Sequence, residues 1–262
     1  MEVKHMCIIV FKDNFASLPS ENMLRQCFRN NPDGAGLAII RPTSSLVEIH
    51  KGFMDVESFI SFATSAVGRD DIAAYHFRIT TAGGTSPQNC HPFPVSEQID
   101  DLTTLHINTR FAVVHNGILG KGKGKLSDTQ LYIRDRLAPR HFRRFSHSLL
   151  ADVERETAGS RILLLDGEVH DVAKLGSGWI TDDDTGLAFS NETYKPQQYA
   201  TWYDCLHNDD MPATLPCPNC GGNDAKLISA YHGLYECPHC TCLFDDYGDV
   251  WADGNGEGAC DE

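Results

Sequence analysis

Long apolar runs are missing from this sequence. No stretch approaches the about 18 consecutive hydrophobic residues of a membrane span. The opening, from Met1 to Asp13, returns to charge too early for a secretory signal. Bases are scarce as well: Lys and Arg total 22 against 36 Asp and Glu, a formal net charge of −14. That balance argues against a general nucleic-acid binder, whose affinity comes from neutralising phosphates. There is no G-x-G-x-x-G, no P-loop, no internal repeat and no low-complexity tract. The expectation is a soluble, cytoplasmic protein that binds neither membrane nor nucleic acid.

What is present is uneven. A hydrophobic content of 41% over 262 residues can fill one large core with a small appendage. Residues 1–200 hold 24 acids and 21 bases, whereas residues 201–262 hold 12 acids and a single base, Lys226. Seven of the ten cysteines fall in that last segment. The composition therefore changes near residue 200. In a reducing compartment such cysteine density reads as metal binding before disulfides.

Patterning before that boundary predicts a strand at Cys7–Phe11, a helix at 21–29, a turn at 31–36, and strands at Leu37–Arg41 and Leu46–Phe53. Asp55 caps an expected helix over 56–66 with Val56, Phe59, Ile60 and Ala63 inward. Strands at Ile72–Ile79 and Phe111–His115 flank a polar, Gly/Pro-rich passage from Thr80 to Asp101, read as functional or disordered. Ser127 and Gln130 fit a capping box for a helix over 128–138, stopped by Pro139, and a second helix is expected at 147–157. Asp166-Gly167 suggests a tight hairpin between Arg161–Leu165 and Val169–Val172, and Gly186–Ser190 a last strand. The basic group Arg134, Arg136, Arg140, Arg143 and Arg144 reads as a solvated surface or an anionic docking face.

The strongest motif is C-terminal. Cys217-Pro-Asn-Cys220 and Cys237-Pro-His-Cys240 are two C-x-x-C knuckles 16 residues apart. Four thiolates complete a tetrahedral Zn²⁺ shell, and Lys226–Glu236 between them predicts two strands meeting at His232-Gly233. This is a zinc-ribbon pattern over 213–247, with structural zinc held by Cys217, Cys220, Cys237 and Cys240. His239 and Cys242 are spare candidates. An acidic flexible tail, 248–262, follows. With so little apolar mass the module depends on metal for its folding energy.

Four short pieces in the first 130 residues carry chemistry when taken together: Cys7 after Met6, His76-Phe-Arg78-Ile-Thr-Thr81-Ala-Gly83, Asn89-Cys-His91-Pro92, and His115-Asn116-Gly117, with Ser127-Asp128-Thr129 following. In this order they resemble the class II glutamine amidotransferase domain, an N-terminal-nucleophile hydrolase. Met6-Cys7-Ile8-Ile9 stands where that family has Met-Cys-Gly-Ile, and Asn31–Gly36 resembles its early glycine-containing turn. The resemblance covers about residues 6–195, within an expected domain at 6–200, and none of the cysteine-rich module.

It implies an α+β, four-layer αββα sandwich. It also implies that Cys7 attacks the side-chain amide of glutamine and forms a thioester, with its own free α-amine as general base. Asn116 and Gly117 would form the oxyanion hole. Arg78, helped by Thr81, would clamp the substrate α-carboxylate, and Asp128 would pair with its α-ammonium. His76 is expected as a local organiser.

Three departures stand out. Residues 1–6 precede Cys7, so an amine there needs initiation at Met6 with methionine removal, or cleavage of a propeptide. Ile8 replaces the family glycine and is expected to crowd the nucleophile, while Ala82 replaces a common histidine. The remaining 60 or so residues are too few for an acceptor-modifying domain, so ammonia is expected to pass to a separate acceptor or protein partner. Hydrolysis of another γ-glutamyl amide, or a non-catalytic binding module, are the alternatives.

Overall fold

The β-branched run after Cys7 becomes β1 (Ile8–Lys12), and it lies inside a seven-stranded sheet. That sheet also contains β2 (Ala35–Ile40), β3 (Val47–Phe53) and β4 (Ile72–Phe77). A four-stranded sheet is built from β5 (Phe93–Pro94), β7 (Phe111–Asn116), β8 (Arg161–Asp166) and β9 (Asp171–Leu175). Strand β6 (His106–Thr109) closes one edge of the larger sheet, and β10 (Ile180–Thr181) and β11 (Ala188–Phe189) form the other, in the order β10-β11-β1-β4-β2-β3-β6. Neighbouring pairs within both sheets run antiparallel. This computed structural model describes residues 7–80, 84–195, 214–229, 234–245 and 250–252. Its two compact units are Met1–Pro196 and Gln197–Glu262.

Side chains alternate across a strand, so a strand buried on both faces reads as a continuous apolar run. In β1, Ile8 and Val10 join one core and Ile9 another. The first core packs Leu37, Tyr75 and Phe77 of the larger sheet against Leu24, Cys27 and Phe28 of α1 (Glu21–Asn30) and Phe59, Ile60 and Ala63 of α2 (Val56–Ala66). The second joins Ile9, Ala38, Ile49 and Ala74 to Ala112, Val114, Leu163 and Leu165, so the two sheets share one apolar interior. A third packs Val113, Ile162 and Leu164 against Ile133, Leu137, Leu149 and Val153. The fold is mixed α+β with several sheets.

The capping signals hold. Asp55 accepts from Ser58 N–H at the start of α2, and Ser127 and Gln130 make the reciprocal box at α4 (Asp128–Tyr132). Other expectations need correction. Of the two readings of the passage from Thr80 to Asp101, the disordered one is set aside for its described residues: they include a 3₁₀ turn (Pro87–Asn89), β5 and the start of α3 (Ile99–Thr103). The expected single helix over 128–138 is α4 continued by a π turn (Ile133–Leu137) and a 3₁₀ turn (Ala138–Arg140), with Pro139 inside the last. The hairpin after Asp166 is wider than a two-residue turn, because Asp166 pairs with Asp171 and residues 167–170 form the loop. Helix α5 (His147–Glu156) lies where expected. Strands β6 and β10 are short sheet edges whose sequences carry little apolar alternation.

The basic cluster is partly neutralised: Arg134 pairs with Asp135, and Arg140 with Asp152 and Glu156. No helix among the described residues is long and apolar enough to cross a membrane. Residues 1–6, Thr81, the His232-Gly233 turn, the boundary near residue 200 and all of the 248–262 tail but 250–252 lie outside the described residues.

Considered by itself, the second unit is a five-stranded antiparallel sheet: β12 (Thr214–Leu215), β13 (Ala225–Ser229), β14 (Leu234–Glu236), β15 (Leu243–Asp245) and β16 (Val250–Ala252). Its small core gathers Ala225, Tyr235 and Phe244 around Cys217, Cys237 and Cys242.

Candidate functional site

Antiparallel pairing of β1 with β4 sets Ile8 opposite Phe77, so Cys7 reaches the backbone just past the end of β4. Its Sγ lies 3.4 Å from Ile79 O and 3.3 Å from Ile79 N. Burial pushes the thiol pKa up, while the Ile79 hydrogen bond and the Arg78 charge oppose that shift. Ile8, expected to crowd the sulfur, is fully buried among α1 and α2 on the other side of the sheet and leaves the site clear.

A small cavity opens beside Cys7 and is lined by Arg78, His91, His115, Gly117 and Asp128, among others. These residues come from separate chain segments. Arg78 is held where β4 meets the 31–36 turn: its N–H donates to Gly34 O, its carbonyl accepts from Asp33 N–H, and its Nη2 donates to Gly84 O at 2.9 Å. The turn needs its glycines for close approach. A Cβ on Gly36 would lie 2.1 Å from His91 O, and one on Gly34 2.6 Å from Cys90 Sγ.

Gly117 follows β7 with φ +154°, and a Cβ there would meet Ser160 Oγ at 2.2 Å. Asp128 begins α4. Its Oδ2 accepts from Leu119 N–H and its Oδ1 from Thr129 N–H, which ties the glycine- and lysine-rich loop to the helix start.

Three imidazoles back the cavity. His76 Nε2 donates to His115 O at 3.1 Å, and His115 places Nδ1 2.7 Å from Thr129 Oγ1 and Nε2 3.0 Å from Ser160 Oγ. His91 packs against the His76 ring, and neither of its nitrogens has a hydrogen-bond partner among the described residues. Desolvation by burial lowers all three pKa values, His76 to about 3 and His115 to about 4, with His91 also well below the usual 6.5. They are neutral at pH 7.

Asn116 is not on the cavity wall. It is buried one residue back, with its carboxamide against Ser190 Oγ (Nδ2···Oγ 2.8 Å) and Oδ1 without a partner among the described residues. Thr81 lies outside the described residues. The structure thus brings Cys7, Arg78, Gly117 and Asp128 to one cavity, with Asn116 adjoining.

Sequence reasoning missed the segment after β11. Ser190 N–H donates to Ile9 O, Ser190 Oγ accepts from Ile9 N–H, and Asn191 Nδ2 donates to Cys7 O at 2.7 Å. These bonds pin the first residues of β1. Two polar residues after a short strand carry no local signal of that task.

In the second unit, the sulfurs of Cys217, Cys220, Cys237 and Cys240 all lie within 4.8 Å of one another. Cys217–Cys240 and Cys220–Cys237 are 3.7 and 3.5 Å apart. A tetrahedral ion with metal–sulfur bonds of about 2.3 Å needs sulfurs about 3.8 Å apart, so the four fit zinc. Both knuckles use the same turn: Gly221 N–H donates to Cys217 O and Thr241 N–H to Cys237 O, with positive φ at Gly221 and Thr241. The two spare candidates do not join. His239 pairs with Asp224 at 2.8 Å, and Cys242 lies in the small apolar core.

No family model matches the chain, and no curated protein aligns with it significantly. The functional argument therefore stands on these residues.

Proposed function

We propose that this protein is a glutamine amidohydrolase with an N-terminal cysteine nucleophile, the catalytic subunit of a glutamine amidotransferase, folded as the four-layer αββα sandwich of that hydrolase class. The observation that carries the reading is that Cys7, Arg78, Gly117 and Asp128, far apart in sequence, line one cavity.

A thiol with a raised pKa needs a base. Among the described residues Cys7 Sγ bonds only the Ile79 backbone. The nearby imidazoles have pKa values pushed too low to serve as good bases at neutral pH. A free α-amine on Cys7, with a pKa of about 7.7–8.0, is matched to the task and attached to the same residue.

The thiol proton passes to that amine as Sγ attacks the glutamine amide carbon. The amine returns the proton to the departing nitrogen, ammonia leaves, and a γ-glutamyl thioester remains. Water then cleaves the thioester to glutamate and restores the thiol. Arg78 takes the substrate α-carboxylate through its planar fork. Asp128, whose oxygens each accept one backbone N–H, keeps lone pairs for the α-ammonium. Asn116 and Gly117 are assigned to the oxyanion.

The four-cysteine group holds structural zinc in a ribbon, which serves as a protein-contact module. Ammonia goes to a separate acceptor or partner protein, in the reducing cytoplasm where cysteines stay available to metal. The test is glutamate release from glutamine by protein with Cys7 at its amino terminus. Release that is lost in Cys7→Ala supports the reading. Equal release by protein retaining residues 1–6, or none from trimmed protein supplied with candidate partners, overturns it.

A further inference from the structure

Ser190 is fully buried at the junction of β1, β7 and β11, and its hydroxyl has two neighbours. Ile9 N lies 2.8 Å from Oγ, and the Asn116 carboxamide lies at the same distance. Ile9 N–H can only donate, so it occupies one lone pair of Oγ. If Asn116 also donates, through Nδ2, the serine hydroxyl proton has no acceptor among the described residues, while Asn116 Oδ1 is buried with no donor. Two groups are then unsatisfied, each at a desolvation cost.

Turning the carboxamide over, which hardly changes its shape, satisfies the serine proton and Oδ1 together and leaves Nδ2 as a buried donor with no acceptor among the described residues, the state of a donor held in readiness for an oxyanion. Ser190 O–H then donates to Oδ1, Ile9 N–H donates to Oγ, and the two N–H groups of Nδ2 move to the side now occupied by the orphaned oxygen. Asn116 directly precedes Gly117, which lines the cavity beside Cys7.

We propose that Ser190 is a positioning residue: its hydroxyl holds the oxygen of Asn116, so that both N–H groups of the carboxamide are free for the oxyanion, and it ties that donor to the strand carrying the nucleophile. Ser190 N–H on Ile9 O and Asn191 Nδ2 on Cys7 O complete the tie. One serine thereby fixes the distance between attacking sulfur and oxyanion donor, the geometry on which such stabilisation depends. The proposal rests on the amidohydrolase reading.

The test is a double-mutant cycle on glutamate release by protein with Cys7 at its amino terminus. Ser190→Ala is expected to lower kcat about tenfold or more while KM moves less than about threefold, since loss of a whole oxyanion donor costs about 10²–10³. Added to Asn116→Ala, it should cost nothing further, because the serine acts through that amide. Ser190→Thr, which keeps the hydroxyl, should restore most of kcat if it melts like the parent. Unchanged kcat in Ser190→Ala, or losses that multiply across the cycle, would overturn the proposal.

A second measurement does not depend on turnover. With the oxygen toward Ser190, neutron diffraction should place the serine hydroxyl deuteron on Asn116 Oδ1 and both Nδ2 deuterons away from Ser190 Oγ. An Nδ2 deuteron directed at Ser190 Oγ would end the proposal even if the protein were no glutaminase. Absence of glutamate release with both deuterons away from Oγ would instead count against the amidohydrolase reading alone.

Discussion

His76 of β4 donates its Nε2–H to the carbonyl of His115 in β7 at 3.1 Å, a hydrogen bond from one sheet of the first unit to the other. A carbonyl can only accept, so this bond fixes the protonated nitrogen of His76. It also locates the cavity, since His115 lines it and Cys7 lies two positions before Ile9, which pairs with His76.

The buried histidines make acid stability a sensitive readout. His76 and His115 titrate at about 3 and about 4, His91 is also lowered, and all bind protons in the unfolded chain near 6.5. The unfolded state therefore holds more protons between pH 6.5 and the folded values, and stability falls as pH drops through that window. Each group contributes up to about 1.4 kcal/mol per pH unit. Chemical denaturation at pH 7, 6 and 5 should show this slope, reduced in His91→Phe, which removes an imidazole without a hydrogen-bond partner among the described residues. An unchanged slope would contradict the burial described.

Lys51 predicts the opposite end of the pH scale. Its Nζ donates to Leu102 O and Gln88 O and sits over the Phe93 ring, and burial lowers its pKa to about 7. The unfolded chain holds this proton up to about 10.4, so stability should rise with pH from about 7 toward 10. In Lys51→Met that rise should vanish. A rise of the same size in the variant would show that another group causes it.

Gly117→Ala forces a Cβ to within 2.2 Å of Ser160 Oγ at a positive φ. The loop must shift, and an ångström of misplacement at a reacting centre costs about 10²-fold in rate. Glutamate release should fall by about that factor. The double variant with Ser160→Gly should recover part of it, because the clashing hydroxyl is gone.

Arg78→Lys keeps the charge but loses the planar fork. Glutamine KM should rise about tenfold or more, as expected for the loss of a charge-assisted hydrogen bond worth about 1.5–3 kcal/mol. Glutamine lacking its α-carboxylate should no longer be disfavoured relative to glutamine itself. If KM stays put, the arginine serves the fold alone through Gly34, Asp33 and Gly84.

Zinc analysis of protein purified without chelator should give one ion per chain, and Cys220→Ser should lower that content. Chelation should unfold β12–β16, whose core is small and built partly of the cysteines themselves. Loss of dispersion in the amide spectrum confined to residues 214–252 would be the expected signature.

Much of this protein was legible before any coordinates. The two C-x-x-C knuckles specify four sulfurs by spacing alone, because each knuckle is a local turn. The helix starts at Asp55 and Ser127 are equally local, since a cap hydrogen bond spans three residues. Alternation was legible in β3 but hidden in β1, β2 and β4 by burial on both faces, which made strands visible but not their partners. Where propensity meets packing the reading slipped: α4 gives way to a π turn as Ile133 and Leu137 reach into the core, and the 84–103 passage is ordered by contacts distant in sequence.

Residue types and local turns, then, came from the chain's order: which cysteine follows Met6, which glycines permit close approach, which sulfurs pair. Convergence did not. That Ser190 and Asn191 grip β1 from more than 180 positions away, that Asn116 stands behind the cavity wall rather than on it, and that Ile8 turns away from the sulfur follow from sheet register and from which face each core claims. Register is a property of paired strands, and no single strand's sequence contains it.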